Sequence, residues 1–168
     1  MIQKYRKNGN LYLLIGFMMM GLLFYSSSQT YEEQSQIGLL SILLKNEPFK
    51  DQLAGVSFIY AGSEVSVAKS GYFSFVEFFI RKGAHFGTYL ILGSSFFLGL
   101  APRMKQFALV ALFSWLSATG YAALDEFHQM LTGGRTPLFQ DVLLDSLGAL
   151  TGVFLCWLIL GIREKRII

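Results

Sequence analysis

A chain of 168 residues with 53% hydrophobic, 15% aromatic and 15% charged residues is poorer in charge than soluble domains, which carry about 25%. It has room for one compact bundle and not for a second domain of ordinary size. Its one cysteine, Cys156, excludes an intrachain disulfide and a thiolate metal cluster, and its formal net charge of +3 is too dispersed to suggest nucleic acid.

The reading is therefore an all-α membrane protein, one domain over residues 1–168, with four transmembrane helices and a structured outer loop. The spans fall at about residues 10–27, 83–101, 107–124 and 142–162, against the roughly 17–25 residues that a spanning helix needs. The first segment has a basic start, an apolar core and small residues at Ser26, Ser27 and Ser28, which also resembles a cleaved signal peptide. Its core is long for a signal and Ser-Ser-Ser-Gln is a mediocre cleavage site, so a retained span is expected.

The loop, about residues 28–74, is not low in complexity. Ser28 or Thr30 can cap a helix whose first turn holds Glu32 and Glu33. Ile37, Leu40, Ile42, Leu43 and Leu44 make that helix apolar enough to lie on the membrane surface or fold back on the bundle. Pro48 ends it, and the stretch from Val56 to Tyr60 is too short to assign. A helix from Ser74 to Leu100 would be about 40 Å long at 1.5 Å per residue. Its first turns, with Glu77 and Arg81 paired four apart, should protrude outward.

Charge sets the orientation. Lys4, Arg6 and Lys7 precede the first span, Arg103 and Lys105 lie between the second and third, and Arg163, Lys165 and Arg166 follow the fourth. All three clusters share one side of a four-span protein, so both termini are expected in the cytoplasm.

Ten polar residues, Lys82, His85, Tyr89, Asp125, Glu126, His128, Gln129, Arg135, Asp141 and Asp145, then collect at the outer boundary. Lys82, His85 and Tyr89 share one helix face, as do Tyr121, Asp125, His128 and Gln129, with Glu126 beside them. Arg135 follows the Gly133-Gly134 turn, and Thr136-Pro137 suits the start of the last helix. There Asp141 and Asp145 stand four apart, with Gly148 and Gly152 continuing the stripe and permitting close helix contact. Ionisable groups at membrane depth are costly and mark a functional site by default.

Three chemistries are open to this set. His85, Asp125, Glu126 and His128 suit general acid and base work, histidine being poised near neutrality. Lys82 and Arg135, with Tyr89, Gln129, Asp141 and Asp145, suit binding of a phosphate or carboxylate headgroup. A divalent metal could take His85, His128, Asp125 and Asp141. However, Asp125-Glu126-Phe127-His128-Gln129 is not an H-E-x-x-H zinc string, and no metal site is assigned. Each residue also has a structural reading: a snorkelling Lys82, an ordinary bundle Tyr89, or an ion pair of Arg135 with Asp141 or Asp145 that sets helix register.

At these residues the sequence resembles the VanZ-like family of bacterial membrane proteins. Lys82-Gly-Ala-His85-Phe-Gly-Thr-Tyr89 matches its K-x-x-H-x-x-x-Y segment. Asp125, Glu126 and Gln129 match its D-E-x-x-Q, before the Gly134-Arg135 turn, Asp141, Asp145 and Gly148. The likeness covers about residues 81–152 and departs at Asp145, where the family often has Asn. It implies a multi-spanning protein of the bacterial cell membrane and envelope, linked to resistance to glycopeptide antibiotics of the teicoplanin type. The expected partners are membrane lipids and an amphipathic envelope molecule or glycopeptide-related ligand. The alternative is a non-enzymatic scaffold or binding protein whose polar cluster is structural.

Overall fold

A computed structural model describes residues 2–132 and 137–165. It is mostly helical. The long helices are α1 (Ile2–Ser27), α5 (Tyr72–Leu100), α6 (Phe107–Leu131) and α7 (Phe139–Lys165). Between α1 and α5 lie three short helices, α2 (Ile37–Leu43), α3 (Lys50–Ala54) and α4 (Val67–Ser70), and two strands, β1 (Ser57–Tyr60) and β2 (Ser63–Ser66). Among the described residues, three helices are apolar enough by length and composition to cross a membrane: Gly9–Ser27, Phe107–Leu131 and Phe139–Ile162. The 29 residues of α5 are diluted by His85, Thr88, Tyr89, Ser94 and Ser95.

Helix α5 is the central element and packs on α7, α1 and α6. Its Tyr89, Leu92 and Phe97 are wholly buried. Outward-facing Phe17 and Leu22 of α1, Leu124 and Leu131 of α6, and Leu147 and Phe154 of α7 are exposed. Lipid tails match such a surface, so burial from water does not drive these helices together in a bilayer; close packing and interhelical hydrogen bonds do.

The closest packing is between α5 and α7. A Cβ at Gly93 would lie 2.5 Å from the Ala149 carbonyl oxygen. One at Gly148 or Gly152 would collide with the carbonyl oxygen of Phe86 or Leu90. These contacts are backbone to backbone, so only glycine fits. Polar bonds join α6 to α7, where the Ser146 hydroxyl lies 2.9 Å from both Trp115 Nε1 and Thr119 Oγ1. Helix α1 starts against α5, with Gly16 under the Phe96 ring. It ends against α6, where Tyr121 donates to the Met20 carbonyl at 2.5 Å and Thr132 to that of Ser27 at 2.9 Å.

The segment between α1 and α5 contains structure that an all-α reading omits. Ser57 to Tyr60 pairs antiparallel with Ser63 to Ser66. Ala61 and Gly62 both have positive φ, 50° and 78°, as a two-residue hairpin turn of this hand requires. The expected helix start also moves. Thr30 and Glu33 bond reciprocally as a capping box, but they close only a turn, and α2 begins at Ile37.

The pairing of Glu77 with Arg81 does not form. Glu77 is 1% exposed and accepts from the Gln36 amide, Ser35 Oγ at 3.2 Å and Tyr31 Oη at 3.3 Å. Folding the loop back onto α5 supplies three donors, where a protruding helix would have left Arg81 as the nearest partner. Leu40, Val67, Tyr72 and Phe75 are buried in the same region and fasten the loop to the start of α5.

Replacing Gly152 with Leu should separate α5 from α7. Overpacking costs about 1–3 kcal/mol where side chains can shift, and more is expected against a carbonyl. The folded fraction and melting temperature in detergent should both fall. Gly161→Leu, where nothing lies within 4 Å of the new Cβ, is the control; equal behaviour of the two variants would refute the contact as a determinant of the bundle.

Candidate functional site

The glycine contact sets α5 and α7 in register, so their polar residues meet at the end of the bundle nearest the loop. Lys82 Nζ donates to Asp141 Oδ1 at 2.5 Å. One turn deeper, His85 Nδ1 lies 3.4 Å from Asp145 Oδ2, a long contact by hydrogen-bond standards. Successive turns on both helices thus make two matched pairs.

The hairpin completes the upper pair. Tyr60 Oη donates to the same Asp141 oxygen at 2.5 Å. The Lys82 ammonium also lies 4.8 Å from the Tyr60 ring centre and 5.5 Å from that of Phe78, within reach of cation–π attraction. Burial, then the hydrogen bond to Asp141 and its charge, push the Tyr60 phenol well above the usual tyrosine range. Tyr60 therefore stays a hydrogen-bond donor at any physiological pH.

Helix α6 supplies the facing wall. Asp125, Glu126 and Gln129 are buried. Glu126 accepts from the Leu138 amide at 2.6 Å, which ties α6 to the chain entering α7. Gln129 Nε2 donates to Asp125 Oδ2 at 3.3 Å. Among the described residues four buried side-chain oxygens lack a hydrogen-bond partner: Ser114 Oγ in the first half of α6, and Tyr89 Oη, Asp125 Oδ1 and Asp145 Oδ1 near this end. Most buried polar atoms are paired, so three in one small region require an explanation.

Two cavities adjoin these groups. The larger, about 430 Å³, is bounded by Phe78, Lys82, His85, Glu126 and Asp141. The second, about 350 Å³, lies among α1, α5 and α6, bounded by Leu23, Ile80, Ala84, Thr88 and Asp125. Arg81, His85 and Gln129 border both.

Of the residues singled out in the sequence, Lys82, His85, Asp125, Glu126, Gln129 and Asp141 line these cavities. Asp145 backs His85, and Tyr89 lies fully buried. His128 stands against α1: its Nδ1 is 2.8 Å from Ser27 Oγ, and its ring stacks on Phe24 at 4.3 Å. Arg135 lies outside the described residues. Among the described residues, no three His, Cys, Asp or Glu side chains form a group able to hold a metal. Tyr60 and Arg81 were missed as site residues. The alternation of residues 57–60 and 63–66 around Ala-Gly was a signal for the hairpin; nothing local showed that its tyrosine would reach Asp141.

The family model described as VanZ/LLP1 matches residues 11–160. No curated protein and no solved structure matches the chain.

Removing the Tyr60 hydroxyl should loosen the hairpin without unfolding the bundle. Tyr60→Phe is expected to cost about 1.5 kcal/mol, the low end for a hydrogen bond to a charged group. Limited proteolysis between residues 57 and 66 should become faster in that variant. Unchanged cleavage would mean that Tyr60 does not hold the hairpin to the site.

Proposed function

The chain belongs to the VanZ/LLP1 family, and from that premise we propose a four-span protein of the bacterial cell membrane that binds an envelope lipid or lipid-linked precursor at the outer leaflet. The observation that carries this reading is the group of unpartnered oxygens of Tyr89, Asp125 and Asp145 beside cavities bordered by Arg81, Lys82 and His85. Polar atoms kept unsatisfied in an apolar bundle are expensive. A polar headgroup in the cavities would reach Asp125, which lines one of them, and His85, which Asp145 backs.

The central packing of α5 among α1, α6 and α7 supports a fourth crossing. The distribution of basic residues favours both termini in the cytoplasm and residues 28–74, with the site, outside. In this reading Lys82 and Arg135 hold the headgroup. His85, backed by Asp145, moves a proton, with Asp125 and Glu126 as further acid–base groups. Through that ligand the protein would contribute to resistance to glycopeptide antibiotics.

A second reading, a non-enzymatic scaffold, is favoured by two contacts. Glu126 accepts from the Leu138 amide and His128 is taken up by Ser27 and Phe24, so both have structural work in the fold.

The topology is open to impermeant cysteine labelling in intact cells, in a Cys156→Ala background. Gly62→Cys should label and Lys105→Cys should not; the reverse pattern would overturn the orientation. Function is tested with His85→Gln and Asp125→Asn, compared with Glu126→Gln. Under the binding reading, the first two insert and melt close to the parent but lose lipid co-purification and the glycopeptide phenotype. If all three only lower the amount of protein in the membrane, the scaffold reading replaces it.

A further inference from the structure

Among the described residues of this region, Arg81 is a cation without an acid to balance it. Its Nη2 donates to Gln34 Oε1 at 3.2 Å, and its guanidinium carbon lies 4.4 Å from the Tyr31 ring centre. Its Nη1 is buried with no hydrogen-bond partner among the described residues. Glu77, one turn away, is occupied by Gln36, Ser35 and Tyr31.

The carboxylates of the cavity walls are occupied as well. Asp141 is held by Lys82 and Tyr60, and Glu126 by the Leu138 amide. Glu33 is held by Thr30, and Glu64 by Ser57 and Ser66. Asp125 takes one bond from Gln129. Lys82 is thereby compensated and Arg81 is not. A guanidinium presents five donors in a planar fork that fits oxyanions, and leaving it underbonded in a bundle is costly.

Its position adds a second constraint. Arg81 borders both cavities. Both walls are mixed: on one side Leu23, Ile80 and Ala84 stand with Gln34, Thr88 and Asp125; on the other Val65, Phe78 and Leu138 stand with Lys82, Glu126 and Asp141. A phosphodiester has matching geometry, with one charged centre and an arm on either side.

We infer that Arg81 joins Lys82 and Arg135 of the proposed pocket as an anion-binding residue and takes the phosphate group of the bound molecule, with His85 and Gln129 beside it. The inference rests on the headgroup-pocket reading and names the group that the pocket recognises. One ester arm enters the cavity beside Leu23 and Ile80, and the other enters the cavity beside Phe78 and Lys82.

The test uses the full chain in a sugar-based detergent free of phosphate. It is titrated with phosphatidylglycerol, with inorganic phosphate, and with an uncharged diacylglycerol, and binding is read by native mass spectrometry and thermal shift. Phosphatidylglycerol should bind saturably, and Arg81→Gln should weaken it about ten- to hundredfold, as loss of a charge-assisted bond predicts. A response to inorganic phosphate alone, lost in the same variant, supports the anion site and makes free phosphate its occupant. If Arg81→Gln does not insert, Arg81→Lys carries the test. Its point charge cannot make the paired contact, so a clear loss of affinity is expected. Undiminished affinity in the variant that inserts, or equal binding of diacylglycerol, overturns the inference. Should His85→Gln still abolish the phenotype in that case, the headgroup-pocket reading survives and only the role of Arg81 falls.

Discussion

The rest of the structure depends on the backbone contact between α5 and α7. Gly93, Gly148 and Gly152 bring two helices together without intervening side chains. Gly148 meets the Phe86 carbonyl, next in sequence to His85. That contact places His85 beside Asp145 and, one turn higher, Lys82 beside Asp141. In lipid there is little hydrophobic drive to associate apolar helices, so such close approach supplies much of the packing energy. The same residues that make the bundle compact therefore also aim the polar groups.

Polar satisfaction divides the bundle into two regions. Towards the short turn between α5 and α6, side chains such as Phe97, Val110 and Val153 fill the interior. Towards the loop, Asp125, Glu126, Asp141, Asp145, His85, Lys82 and Arg81 share a small volume, with His128 on its flank. Some are fully engaged: Glu126 holds the entry to α7, and His128 holds the end of α1. Others are left short of partners, namely Tyr89, Asp125, Asp145 and Arg81. A fold that needed only helix register could use fewer charges, since burying each carries a desolvation cost.

The loop is part of this region and not an appendage. It closes over Glu77 with three donors and sends Tyr60 down to Asp141. A segment remote in sequence thus fixes the acceptor of Lys82. Helix α1, moving from α5 at its start to α6 at its end, leaves the space that Leu23, Ile80 and Ala84 border.

The sequence by itself determined the long helices, the membrane character and the family. Each of these rests on local composition, on periodicity of 3.6 residues, or on a short motif such as Lys82 to Tyr89. Spacing also showed that Lys82, His85 and Tyr89 share a face, and that Asp141 and Asp145 share another. Tertiary structure alone decided which faces met. His128 has the spacing to join Asp125 but is drawn to Ser27, because α1 packs on that flank of α6. Glu77 has the spacing to pair with Arg81 but is taken by the folded-back loop. Tyr60 enters the site from 81 positions away along the chain. Helix periodicity gives the direction of a side chain relative to its own axis. What that side chain touches depends on the rotation and approach of neighbouring elements, and here those are set by glycine contacts and loop closure between residues far apart in the chain.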